Sequence, residues 1–278
     1  MIKITLPGSK NIFIINDLFN SKSVENEIFN TFYPYATDVP PQNFNMQWDI
    51  WIERNTENIR VKSRNNGWKK LDADVLSLFD CYKIAYSIIR ENLQLDDEYC
   101  FLHGSAILID NKPCLFLSET GMGKSTLSVY FDMHGYKCIT DDLIILDKKN
   151  YTIYPISKYA HIRKEGLFLF QNNIDLLTYN QLIDRYEYLL SERRFQDEYK
   201  VEYIFILRRG YPNTALFLCN NAFECILENM FLPYQIKGNI FSSAKISCDY
   251  SIYSALYEDL DSLLKKIREF INLKNQNL

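Results

Sequence analysis

The sequence contains no Cys-x-x-Cys pair and no apolar run near the roughly 18 residues a bilayer helix needs. Its seven cysteines, at 81, 100, 114, 138, 219, 225 and 248, are odd in number and sit mostly in apolar surroundings. That pattern argues against a disulfide scaffold and fits free thiols in a reducing compartment. The three histidines, His103, His134 and His161, lack zinc-ligand spacing. Excess positive charge is also missing. The formal net charge is -4, which argues against a broad nucleic-acid surface. The first residues, Met1-Ile-Lys-Ile-Thr5, lack the apolar stretch of a signal peptide. No internal repeat or low-complexity linker stands out. These absences predict a soluble, cytoplasmic chain with no nucleic-acid partner and no membrane insertion.

What is present suits a packed core. Of 278 residues, 47% are hydrophobic, a balance that fits one large domain or two smaller ones. The 20 Tyr and 18 Phe are read as core and half-buried strand residues. Residues 1–70 read as short strands and loops. Ile2/Ile4, Ile12–Ile15, Trp48/Ile50/Ile52 and Ile59/Val61 are strand candidates, Asn65-Asn-Gly67 is a turn, and 31–47 is a loop. Val75, Leu78, Phe79, Tyr82, Tyr86 and Ile89 recur at helical spacing. The acidic stretch at 96–98 then closes an N-terminal α+β domain, 1–98, leaving 99–278 as a second domain.

The second domain reads as α/β. Strands are expected over Ser105–Ile109 and Cys114–Ser118, with a turn at Asp110-Asn-Lys112 between them. A helix follows from Lys124 with Leu127, Tyr130, Phe131 and His134 on one stripe, ended by Gly135. Tyr136–Leu146 reads as a strand holding two acids. Tyr203–Leu207 and Ala215–Leu218 read as strands, and Phe223, Ile226, Leu227 and Met230 mark a short helix. Ile252, Leu256, Leu260, Leu263, Ile267 and Ile271 predict a long last helix.

The segment Ser118-Glu-Thr-Gly-Met-Gly-Lys-Ser125 joins a strand to a helix and matches the Walker A pattern except that Ser118 replaces the first Gly. Glycines let the backbone turn its amides inward, and a helix N-terminus adds N–H groups and a positive dipole end. The pattern predicts that Glu119, Thr120, Gly121, Met122, Gly123, Lys124, Ser125 and Thr126 bind the phosphates of ATP. Lys124 bridges the terminal phosphates, Ser125 offers its hydroxyl to Mg2+, and Thr126 supports the helix start.

Asp141 and Asp142 sit together inside an apolar strand, where unpaired carboxylates are costly. A Mg-triphosphate supplies the missing positive charge. One acid can hold the metal while the other takes a proton from an attacking hydroxyl. Alternation along a strand sends them to different faces. Asp142 is read as the metal ligand beside Ser125, and Asp141 as the favoured base. His103, in Phe101-Leu-His-Gly-Ser105, is read as tuning an acid or touching the transferring group, and His134 as structural. Arg163, in His161-Ile-Arg163-Lys-Glu-Gly166, is a candidate for neutralising phosphoryl oxygens, with His161 facing the same cleft. Arg208-Arg209, after a strand, is a further candidate for phosphate contact.

Residues 101–146 resemble the catalytic core of the HPr kinase/phosphorylase family. The resemblance rests on His103-Gly104 before a strand, Gly121-Met-Gly-Lys-Ser-Thr126, and Asp141-Asp142 after a helix. It implies a phosphoenolpyruvate-carboxykinase-like P-loop core behind a small N-terminal α+β unit. It also implies roles for His103, the loop residues and both acids in Mg2+ binding and proton transfer at a serine. Arg163 matches the arginine of the family's later signature, while His161 stands where an acidic Mg2+ contact occurs. The short N-terminal unit and altered signature resemble divergent members that phosphorylate ribosomally made precursors such as lasso peptides. The implied activity is an ATP-dependent kinase acting on a peptide or protein hydroxyl, serine first. The resemblance also implies a homo-oligomer. Two rivals remain: a kinase for small hydroxylated molecules and a non-catalytic, nucleotide-sensing peptide-binding module.

Overall fold

The computed structural model describes residues 1–16, 21–39, 48–55, 58–63, 66–70, 77–93, 98–231 and 236–276. Two compact units divide the chain. One comprises Met1–Tyr99, Ile156–Lys158 and Tyr179–Arg185; the other comprises Cys100–Pro155, Tyr159–Thr178 and Tyr186–Leu278. Among the described residues no helix is long and apolar enough to cross a membrane.

The first unit carries strands β1 (Ile2–Ile4), β2 (Phe13–Asn16), β3 (Ala36–Asp38), β4 (Ile50–Asn55), β5 (Asn58–Ser63) and β6 (Asn66–Lys70). They form one sheet in the order β3-β1-β2-β4-β5-β6. The pair β2–β4 is parallel, with Phe13 opposite Ile50. Helices α1 (Lys22–Thr31) and α2 (Leu78–Asn92) belong to the same unit. Ser77 caps α2 by accepting the Asp80 N–H at 3.2 Å, which satisfies one of the donors a helix start leaves unpaired. Two expectations change here. Residues 22–31 form a helix, because Val24 and Ile28 lie one turn apart and are buried. The 31–47 stretch, read as a loop, contains β3, and 40–47 lie outside the described residues. Val75, Asn65 and most of the acidic 96–98 stretch also lie outside them.

The second unit is built on strands β7 (Tyr99–Ile109), β8 (Lys112–Leu117), β9 (Lys137–Thr140), β10 (Leu143–Asp147), β11 (Thr152–Tyr154), β15 (Tyr199–Lys200), β16 (Tyr203–Arg209), β17 (Ala215–Leu218) and β18 (Ile252–Tyr257). Their order is β15-β11-β10-β7-β8-β16-β18-β17, with β9 also pairing β7. A separate small sheet joins β12 (Tyr159–Ile162), β14 (Arg185–Leu189) and β13 (Leu177–Asn180). The main sheet is mixed: β8–β16 and β16–β18 are parallel, while β7–β8 and β17–β18 are antiparallel.

Period-two alternation explains its two faces. Leu115, Leu117, Ile204 and Ile206 enter one core with Cys225, Ile226 and Ile246. The last three come from helices α4 (Ala222–Glu228) and α5 (Ile236–Asp249). Cys114, Phe116, Phe205 and Leu207 enter the other, against Leu127 and Phe131 of α3 (Lys124–Met133) and Leu263, Ile267 and Ile271 of α6 (Leu260–Gln276). Phe116 stacks on Phe205 at 5.5 Å and meets Phe131 edge-on at 6.2 Å.

Two elements differ from the sequence reading. The last helix begins at Leu260, and Ile252–Tyr257 is a central strand. A short apolar run carries no period that separates a buried strand from a helix. Asp259 marks the true helix start: its carboxylate accepts Ser262 N–H at 2.8 Å and the Ser262 hydroxyl at 2.7 Å. The expected single strand over Tyr136–Leu146 is two strands, β9 and β10, broken at Asp141-Asp142. The seven cysteines are free.

Candidate phosphate-binding and phosphotransfer site

The parallel strands β8 and β16 set the position of the site. Leu117, the last residue of β8, lies opposite Ile206, so the chain leaves β8 at the same end where Arg208 and Arg209 close β16. Ligand sites in α/β sheets favour this carboxyl end. On the other side Gly104 of β7 lies opposite Leu117. A Cβ on Gly104 would come within 2.8 Å of the Phe116 carbonyl and 2.6 Å of Leu117 Cδ2. The absence of a side chain there lets His103 sit beside the exit of β8. His103 therefore lies inside a strand, not before one.

The loop 118–123 then turns into α3. Gly121 and Gly123 both have φ of 90°, and a Cβ on either would meet nothing within 4 Å. Conformation, not space, asks for glycine at these positions. Gly123 is the N-cap of α3 and supplies no capping side chain. The first helical bond of this turn runs from Leu127 N–H to the Gly123 carbonyl at 2.8 Å. The N–H groups of Lys124, Ser125 and Thr126 precede it, and helix geometry gives them no acceptor within α3. The Tyr257 hydroxyl fastens the loop by donating to the Met122 carbonyl at 3.2 Å.

Lys124 is buried, with its ammonium folded onto the strand–loop junction. It donates to the Ser118 carbonyl at 2.8 Å and the Glu119 carbonyl at 3.3 Å, and lies 3.4 Å from Ser118 Oγ. Burial lowers its pKa, and the charges of Asp142 and Asp141 oppose that shift. Glu119 and Thr120 are exposed.

The acidic pair occupies the tight β9–β10 turn. Leu143 N–H donates to the Asp141 carbonyl at 2.8 Å, and Asp142 adopts a left-handed φ of 66°. Such backbone strain in a non-glycine residue accumulates at functional sites. The turn separates the acids. Asp141 is buried and accepts from Ser105 Oγ at 2.6 Å and Ser128 Oγ at 2.9 Å. Burial raises its pKa; hydrogen bonds from Ser105, Ser125 and Ser128 pull it down, and the Asp142 charge adds to the rise. Asp142 is exposed, with its carboxylate 3.2 Å from His103 Nδ1. The same ring nitrogen lies 3.0 Å from the Asp142 carbonyl. Both neighbours are acceptors, so Nδ1 carries the proton and Nε2 faces away from the pair.

The structure thus gathers Lys124, Ser125, Asp141, Asp142 and His103. Arg163 is exposed at the start of the 3-10 segment Lys164–Leu176. Gly166 brings that segment against α3, since a Cβ there would lie 3.1 Å from Thr126 Oγ1. His161 faces Glu187 across the β12–β14 pair, 3.7 Å apart. His134 is exposed, its ring stacked on Tyr130 at 4.1 Å.

Sequence reasoning missed the polar residues that hold the acids. Ser105 follows His103 by two on β7, so one strand face serves both acids. Ser128 follows Lys124 by one helical turn, and its hydroxyl also donates to the Lys124 carbonyl at 3.1 Å. The backbone carbonyl of Asn229, after α4, accepts the His103 backbone N–H at 2.7 Å and so fixes β7 rather than an acid. The two spacings were visible signals, whereas Asn229 carried none.

No protein-family model matches the chain. No curated protein matches it either. Among solved structures, the Hpr(Ser) kinase/phosphatase from Coxiella burnetii is similar over 64% of this chain and 99% of that one, at 13% identity and a TM-score of 0.34. A likeness at that level carries no chemistry, which the loop and the acidic turn alone must supply.

Proposed function

We propose that the chain transfers the γ-phosphoryl group of ATP to a hydroxyl, with a serine of a peptide or protein as acceptor. Precursors of ribosomally made natural products fall within that class. The observation that carries the reading is one cluster: an uncapped helix start, a buried lysine at its mouth, and two adjacent carboxylates in different environments. A glycine-shaped turn without a ligand gives no reason to bury Lys124 and Asp141 beside each other.

Lys124 would exchange its carbonyl partners for phosphate oxygens, gaining charge-assisted bonds. The amides of the first α3 turn would hold the same group. Ser125 and the two aspartates form an oxygen-only donor set, which suits a hard cation such as Mg2+. Ser125 lies close enough to Asp141 to pull its pKa down, so these two fit the metal best. When bound, the cation supplies positive charge against the triphosphate.

Asp142 is exposed and held by His103, so it is the acid an incoming hydroxyl can reach. It would orient the hydroxyl and take its proton as the acceptor oxygen bonds the γ-phosphorus and the bond to the β–γ bridging oxygen breaks, releasing ADP. This division of labour is the reverse of that expected from the sequence. His103 acts as a positioning residue by holding the Asp142 carboxylate. A phosphoenolpyruvate-carboxykinase-like core and a cytoplasmic location belong to the same proposal.

The test is incubation of the chain with ATP, Mg2+ and serine-containing peptides, followed by intact-mass analysis. Addition of a phosphoryl group, about 80 Da, to a hydroxyl residue is the expected result. Release of inorganic phosphate at the same rate with and without every peptide would contradict it.

A further inference from the structure

A cleft of about 180 Å³ opens beside the phosphate loop, with Met122, Gly123 and Thr126 along one side. Its opposite side comes from the segment after β18 and the start of α6, including Glu258, Asp259 and Asp261. Tyr130 and Phe168 add aromatic walls, and Arg209 stands at the end of β16. Phe168 lines the cleft and is 59% exposed, a large apolar ring left open to solvent.

Two features decide what the cleft suits. The first is charge. Three carboxylates face one guanidinium, so the cleft disfavours a phosphate group and accepts an uncharged one. The Asp259 carboxylate stays ionised, its pKa lowered by the hydrogen bonds from Ser262 at the α6 start. The second is the state of the aromatic groups. The Tyr130 hydroxyl is committed to Asp261 at 2.5 Å. His134 stacks on one face of the Tyr130 ring, so Tyr130 has only its other face to offer, while Phe168 is open. Flat apolar walls with polar acceptors at the rim match a heteroaromatic base joined to a hydroxylated sugar. The volume lies below the roughly 300–1,000 Å³ of pockets that enclose a drug-sized ligand, so it admits one end of a nucleotide.

Resting on the phosphotransfer reading above, we propose that this cleft binds the nucleoside end of the donor triphosphate. The triphosphate runs along the first turn of α3 past Thr126, and the base lies against Phe168 and Tyr130. The rim carboxylates accept from the sugar hydroxyls. Phe168 is then a specificity residue separating a nucleoside triphosphate from a bare polyphosphate.

Titration of the full chain with ATP and with inorganic tripolyphosphate, each with Mg2+, tests this. ATP is expected to bind at least ten-fold more tightly. Phe168→Ala removes an exposed side chain, so the variant folds, and ATP affinity should fall about ten-fold, the size of one aromatic contact. Tripolyphosphate affinity should stay within about two-fold, because the lost contact never touches it. Equal binding of the two ligands by the unaltered chain, or unchanged ATP affinity in Phe168→Ala, overturns the cleft assignment alone. Absence of binding by both ligands overturns the phosphotransfer reading and the cleft with it.

Discussion

Ser128 Oγ donates to Asp141 Oδ1 across 2.9 Å, tying the helix that leaves the glycine loop to the turn that carries the acids. The bond couples two elements that the chain supplies separately. It also leaves a carboxylate buried with serine hydroxyls as its nearest donors, a poor substitute for a cation.

Asp141→Asn should therefore stabilise the ligand-free chain at neutral pH. Burial raises the Asp141 pKa in the folded state, so the folded chain binds this proton more tightly than the unfolded chain. Stability then falls as pH rises from the ordinary carboxylate value through the raised one. A gain of about 1 kcal/mol corresponds to a Tm rise of roughly 2–4 °C for a chain of this size. The difference between variant and parent should vanish as pH drops and the parent carboxyl protonates. Calorimetry across pH checks this, and the variant should lose Mg-ATP stabilisation.

Asp142→Asn should separate chemistry from binding. Loss of a general base costs about 10²–10⁴-fold in turnover. ATP affinity should change little, since the carboxylate is exposed and the proposed role sets it toward the acceptor. Single-turnover transfer and equilibrium titration on the same preparation measure the two effects independently.

Gly104→Ala and Gly121→Ala should differ in kind. The first places a methyl against the Phe116 carbonyl and Leu117, so β7 must shift on β8. The second meets open space, and its left-handed φ costs about 1–2 kcal/mol. Urea unfolding should show the larger loss for Gly104→Ala.

Phe116→Ala should cost about 3–5 kcal/mol, because the ring is fully buried between Phe205 and Phe131. Its effect on transfer should follow stability, since the side chain lies wholly in the core.

The core strands and the loop were legible because each depends on local pattern. Cys114–Leu117 is a short buried run, and glycine spacing marks the turn into α3. The acidic pair was legible as chemistry but not as geometry: a strand pattern over Tyr136–Leu146 hides the left-handed Asp142 that splits it. Ile252–Tyr257 was misread because burial on both faces of an interior strand erases the period. The serine clamp on Asp141 depends on β7, α3 and the turn meeting, which no single window of sequence contains. The α1 helix was missed because two buried apolar residues in a polar stretch are a weak signal, and tertiary packing decides such cases.

Calorimetric titration of the unaltered chain and of Lys124→Ala with ATP in the presence of Mg2+ tests the central claim most directly. Saturable binding by the unaltered chain, weakened at least a hundred-fold in Lys124→Ala, is expected from the loss of about 3 kcal/mol of charge-assisted bonding. Equal affinity in the two proteins, or no binding by the unaltered chain, would contradict it.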